Sequence, residues 1–133
     1  MIKYALDSNI VSFLLKKNKN IAIQIEKEVT AGNEIVIPPI VYYEVKRGLL
    51  CADAHSQMRS FMEFCAGNKV DDINLPVLNK AADIYVSLRN RGIGTEDADI
   101  LIAAHCIVNG YTLVTNNTKH FESIKDLTFI DWS

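Results

Sequence analysis

The sequence predicts an α/β fold, a small parallel sheet flanked by helices in an α/β/α sandwich. Three observations carry that expectation. Short apolar stretches (IKYAL, EIVIP, YTLVT and LTFIDW) read as strands bounded by Pro or polar turn residues. Longer segments with apolar residues at helical spacing lie between them, and strands alternating with helices favour a parallel sheet. Polar residues also close strands directly: Asp7 follows IKYAL, and Thr115, Asn116 and Asn117 end YTLVT. That is the rim where open α/β sheets bind ligands.

Each element has its own reason. SNIVSFLLKK places Ile10, Val11, Phe13 and Leu14 at helical spacing, with Ser8 or Asn9 as the cap. IAIQIEKEVTAG alternates early, as a strand would, yet Gln24, Glu26, Lys27 and Glu28 favour helix and Gly32 supplies a stop. EIVIP is a strand ended by Pro38, and PIVYYEVKRGLLCA a helix with Pro39 near its first turn. AHSQMRSFMEFCAG and LPVLNKAADIYVSLRNRG are two further helices, joined through VDDINL as short strand or connector. A helix then runs from Thr95 or Glu96 to Val108, followed by the strand YTLVT, a short helix near TKHFESI and the last strand LTFIDW.

At 133 residues the chain fits one domain over residues 1–133, large enough to bury a core unaided. Hydrophobic residues at 49% and charged residues at 23% exclude a disordered or fibrous class. Apolar runs such as ILIAA are too short to span a bilayer, and Asp7 interrupts the N-terminus before a signal-peptide core forms, so a cytoplasmic protein with no membrane contact is expected. Cys51, Cys65 and Cys106 are odd in number and lie among apolar neighbours, which predicts reduced, buried thiols. The net charge of −2 gives no bulk attraction to nucleic acid. Local charge or a bound cation must supply it, and LLKKNK, EVKRG and LRNRG read first as solvated surface.

The stretch GTEDADILIAAHC sets Glu96, Asp97 and Asp99 against the head of an apolar helix. Residues three apart share a helical face, so Glu96 and Asp99 can look the same way. Asp99 also shares a face with Ala103 and Cys106, which points it at packed protein, where a carboxylate needs a partner. Glu96 is assigned mainly to capping, Asp97 equally to capping and function, and Asp99 mainly to function. Asp7, Glu44, Asp99 and the Thr115–Asn117 turn are brought to one rim by the predicted topology. Oxygen ligands of this kind suit Mg²⁺ or Mn²⁺, whereas the three histidines make no zinc pattern. Taken singly, each has a plainer role: Asp7 as a helix cap, Glu44 as a solvated helix residue, the asparagines as turn formers, Asp71 and Asp72 as connector residues, and His105 as a satisfied histidine near the core.

Taken in order, these pieces resemble the PIN-domain family, specifically the VapC-type toxins of bacterial toxin–antitoxin pairs. YALDSNI is similar to the family's opening and puts Asp7 in the first metal-ligand position. YYEVKRG is similar to the family's Glu-containing helix, with Glu44 as the second acid; DADILIAAHC gives Asp99 as the third; LVTNNTKHF followed by FIDW matches the ending. The resemblance implies a PIN-like sandwich and a Mg²⁺- or Mn²⁺-dependent endoribonuclease. It further implies inhibition by a VapB-type antitoxin, a homodimer with its interface on apolar helix surfaces of the first half, and a larger assembly bound to DNA through the antitoxin. One departure stands out: Asn117 and His120 occupy positions where many members carry a further acid. The expected catalytic set is therefore Asp7, Glu44 and Asp99 as ligands, with Asp97 and Asn117 assisting. Asn9, Lys46, Arg47, Arg89, Arg91 and Thr115 are the expected RNA contacts. The rival readings are a housekeeping PIN nuclease, a degenerate PIN-like binding module, and a receiver-like phosphoacceptor module. The last lacks a late strand ending in Lys, since Lys119 comes only after a polar turn.

Overall fold

The computed structural model describes all 133 residues. Five strands, β1 (Lys3–Leu6), β2 (Glu34–Ile37), β3 (Lys69–Val70), β4 (Thr112–Val114) and β5 (Phe129–Ile130), form one sheet in the order β3-β2-β1-β4-β5. Every neighbouring pair is parallel, with Ala5 opposite Val36 on one side and Leu113 on the other. The fold expected from the sequence is the fold observed. Seven helices join the strands: α1 (Ser8–Leu15), α2 (Lys19–Thr30), α3 (Pro39–Cys51), α4 (His55–Gly67), α5 (Leu75–Asn90), α6 (Asp97–Asn109) and α7 (Thr118–Phe121). Helices α1 to α4 pack among themselves, and α5 packs chiefly against α6. None is long and apolar enough to cross a membrane.

The core is a single cluster of 28 buried residues. The strands supply Ala5, Leu6, Val36, Ile37, Leu113 and Val114, and Phe61 and Phe121 are its largest fully buried side chains. Each such Leu, Ile, Val or Phe contributes about 1.5–3 kcal/mol through removal from water. Helix α6 buries Ile100, Ile102, Ala103, Ala104, His105 and Cys106. It is therefore sheltered on more than one side, and only its ends meet solvent. A Schellman turn stops it: Gly110 takes φ +71°, and the Tyr111 and Gly110 amides bond back to Cys106 and Ile107.

A polar bracket lies under α6. The Asp71 carboxylate accepts Tyr111 Oη–H at 2.6 Å, pairs with His105 Nε2 at 2.9 Å, and has Lys69 Nζ at 3.5 Å. Burial alone would push the Asp71 carboxyl up, but the Tyr111 and His105 hydrogen bonds and the lysine charge outweigh it and hold it below its ordinary value. Tyr111 responds oppositely, raised by burial and by its bond to Asp71. Asp71 is thus more than a connector residue. His105 is only half-satisfied, because its Nδ1 is buried with no partner.

Several local expectations are corrected. Asp7, rather than Ser8 or Asn9, caps α1, its Oδ1 accepting the Ser8 amide at 2.8 Å. Glu96 occupies the N-cap position of α6, but its side chain makes no capping bond. Cys51 is exposed, not buried, because it ends α3 on the outer face; Cys65 is half-buried and Cys106 buried, all three free. VDDINL contributes only the tail of β3, a two-residue edge strand.

Candidate active site

Strand order reverses between β1 and β4: β2 lies on one side of β1, and β4, which follows much later in the chain, on the other. The crevice beyond the carboxyl ends at such a switch is where open α/β sheets bind ligands. Asp7 leaves β1 at this point, and Thr115 leaves β4. The Asp7 amide continues the ladder by donating to the Val114 carbonyl at 2.9 Å. Its carboxylate is held at both oxygens: Oδ1 by the Ser8 amide, Oδ2 by Thr115 Oγ1–H at 2.7 Å. Asp7 is 5% exposed. The carboxylate is thus enclosed and oriented at both oxygens, and it caps α1 as well.

Glu44 reaches the same place from α3. Its Oε1 accepts Ser8 Oγ–H at 2.7 Å, so Ser8 bonds Asp7 through its amide and Glu44 through its hydroxyl. Asp99 arrives from the first turn of α6, half-buried. Burial raises its carboxyl above the ordinary value, the Asp7 charge adds to this, and His120 only partly offsets them. His120 Nδ1 stands 3.2 Å from Asp99 Oδ2. Asp99, His120, Glu96, Thr95, Lys119 and Ser123 border one cavity of about 240 Å³.

The remaining candidates divide. Asn9 Nδ2–H donates to Asn116 Oδ1 at 3.2 Å, bridging α1 to the turn after β4. The Asn117 amide donates to Thr115 Oγ1 at 3.0 Å, and its side chain makes no capping bond to α7. Asp97 is exposed at the start of α6, and no hydrogen bond or ion pair joins it to the other acids. Thr115, expected as a substrate contact, is fully buried, so it acts by orienting Asp7. Lys46 is directed to the α3–α4 seam: Nζ bonds Tyr42 Oη at 3.1 Å, and the Tyr42 ring packs on Phe61. Arg47 lies over the exposed Tyr43 ring at 5.0 Å. Arg89 reaches Tyr85 Oη, and Arg91 fastens the end of α5 to the Ser123 carbonyl at 2.7 Å. Ser8 and Lys119 were missed as site residues, since a capping serine and an exposed lysine carry no distinguishing pattern.

No three His, Cys, Asp or Glu side chains close into a ready-made metal cage. What the crevice offers is oxygen. Asp7 and Asp99 repel each other, with Glu44 tied to Asp7 through Ser8. That set fits a hydrated hard divalent cation, which is commonly held by one or two carboxylates with water completing the shell. It does not fit structural zinc, which takes four His or Cys ligands.

Comparison with known proteins agrees with this fold. The family model for the PIN domain matches residues 4–127. Ribonuclease VapC2 of Rickettsia felis is 28% identical over 130 residues, 97% of each chain. The tRNA(fMet)-specific endonuclease VapC of Shigella flexneri is 28% identical over 134 residues, spanning all of both chains. Among solved structures, VapBC2 of Rickettsia felis bound to a promoter DNA fragment superposes with a TM-score of 0.92 at 25% identity, covering 99% of this chain and 100% of the other. VapBC-1 of nontypeable Haemophilus influenzae gives 0.87 at 26% identity, covering 98% of each.

Proposed function

The chain belongs to the PIN-domain family, and from that premise we propose that it is a metal-dependent endoribonuclease, the toxin of a VapBC-type pair. The observation that carries this reading is the buried Asp7 carboxylate at the switch point, held by Thr115 Oγ1–H and by the amide of Ser8, whose hydroxyl holds Glu44. Like charges gathered in a partly dry crevice favour a counter-cation. The names of the Rickettsia and Shigella relatives, a ribonuclease and a tRNA endonuclease, support RNA as the substrate.

In this reading Asp7, Asp99 and Glu44 hold Mg²⁺ or Mn²⁺. When bound, the ion supplies Lewis acidity toward a phosphate oxygen and lowers the pKa of water. The protein's own part is orientation. Thr115 and the Ser8 amide occupy one lone pair on each Asp7 oxygen and leave the others to face the crevice. Ser8 Oγ fixes the Glu44 carboxylate. The Asn9–Asn116 bond closes the exposed side of the crevice. Lys119, exposed on the wall of the Asp99 cavity, offers a cation to an RNA phosphate, and Arg47 and Arg89 are further phosphate contacts in this reading. Asp97, exposed at the head of α6, assists from the rim in this reading, while Asn117 contributes through its amide to Thr115.

A VapB-like antitoxin is the proposed protein partner, supported by the VapBC complexes among similar structures, one of them on promoter DNA. A homodimer is supported by exposed Ile23 and Val29 on α2 and Leu50 on α3, apolar side chains of the first half that a second copy would cover. A cytoplasmic site of action is part of this reading, supported by the proposed RNA substrate. Cleavage of a cellular RNA pool by purified, partner-free protein tests the function. Cuts are expected with Mg²⁺ or Mn²⁺, and none with chelator or in Asp99→Asn. Metal-independent cuts, or cuts by Asp99→Asn, would refute it.

A further inference from the structure

We propose that His120 is a nitrogen ligand of the metal site and biases it toward Mn²⁺ and later first-row ions over Mg²⁺. This rests on the metal-dependent function proposed above. His120 Nδ1 lies 3.2 Å from Asp99 Oδ2, and no protein group donates to Asp99 Oδ1. Both side chains open on the same cavity, whose wall also carries Glu96 and the exposed Lys119. The backbone of His120 is anchored, its amide donating to the Asn117 carbonyl and the adjacent Phe121 being fully buried. Its ring is held only by that contact with Asp99, the side chain being 58% exposed. The nitrogen that meets Asp99 in the absence of metal can therefore turn its lone pair to an ion on that carboxylate at little conformational cost.

The chemistry of the pair sets the selectivity. Mg²⁺ demands oxygen ligands and yields its waters reluctantly. Imidazole is a ligand of first-row transition ions, whose affinity for such sites rises from Mn²⁺ through Co²⁺ to Ni²⁺. An Asp–His pair completed by water thus gains affinity for Mn²⁺ over Mg²⁺, which an all-carboxylate site lacks. Neither other histidine competes for the role. His105 is buried against Asp71, and His55 is exposed and paired with Asp53 at 2.9 Å. A nitrogen signal at the site is therefore assignable.

The test uses the full chain, with Mn²⁺ titrated by the electron paramagnetic resonance of the free ion and Mg²⁺ by competition. Nitrogen coupling to bound Mn²⁺ is read by electron spin echo modulation. Wild type should show coupling from one imidazole, and His120→Ala should lose it. Its Mn²⁺ affinity should fall at least tenfold, because even outer partners of metal ligands cost that much, while Mg²⁺ affinity stays within about twofold. His120→Asn is the second variant, and circular dichroism checks the fold of both. No nitrogen coupling in wild type, or equal losses for both ions, overturns the proposal. Loss of binding in Asp99→Asn with none in His120→Ala overturns the role of His120 and leaves the function standing. A wild type that binds no divalent ion overturns both.

Discussion

Two aspartate–histidine pairs in this protein are built to opposite ends. Asp71 meets His105 at 2.9 Å, and Asp99 meets His120 at 3.2 Å. Burial pushes both carboxyls up. At Asp71 the hydrogen bonds of Tyr111 and His105, with Lys69 close by, reverse that push. At Asp99 the neighbouring Asp7 adds to it. The difference teaches how to read a buried acid. One whose lone pairs are filled by donors belongs to the scaffold. One kept beside another acid, with an oxygen to spare, is set for a cation.

Substitution should separate the pairs most sharply. Asp99→Asn is expected to lower RNA cleavage by about a hundredfold or more, the rate equivalent of several kcal/mol of charge stabilisation. Its urea midpoint should hold or rise, because the repulsion with Asp7 is gone. Asp71→Ala should do the reverse. Unfolding free energy is expected to fall by about 2–3 kcal/mol, since Tyr111 Oη and His105 Nε2 lose their partner, with cleavage by the folded protein retained. Urea denaturation followed at Trp132 reads the stability, and equal losses in both variants would break the contrast.

Acid gives a smaller separation with a definite sign. The Asp71 carboxyl titrates below its unfolded value, so its contribution is complete above about pH 4 and lost as pH falls through the folded value. Wild type should therefore lose stability below about pH 4 more steeply than Asp71→Asn. Asp99 runs the other way. Its folded form holds the proton more tightly, so stability declines as pH rises through its raised range, and Asp99→Asn should abolish that slope. Melting temperatures across the acid range measure both.

Tyr111→Phe is a finer probe of the scaffold pair. It removes one 2.6 Å bond and leaves His105 in place, so a loss of about 1 kcal/mol in denaturation is expected. The smallest effect concerns the rim of the site. Arg47→Ala should reduce the salt slope of RNA binding by about one, while Lys46→Ala, already engaged with Tyr42, should leave it unchanged. Equal slopes for the two variants would remove Arg47 from the substrate surface.

The elements were legible because their signals are local. Pro39 at the head of α3, Gly32 just after α2 and the apolar spacing of Ile10 and Val11 act within one or two turns. Asp7, Glu44 and Asp99 were legible as an ordered set, through their places beside strands and helices. Errors fell where the side chain had a choice. Glu96 sits at a cap position without using it, and Thr115 turned inward to a partner the sequence does not show beside it.

By itself, then, the sequence determined the α/β order, the helix boundaries and which acids close which segments, because periodicity and capping are short-range. Only the tertiary structure decided the pairings. Thr115 meets Asp7 across 108 positions, Ser8 meets Glu44 across 36, His120 meets Asp99 across 21, and Asp71 meets His105 across 34. Partners this far apart are selected by sheet order and helix packing, and it is those partners, not residue type, that leave Asp71 filled with donors and Asp99 facing Asp7.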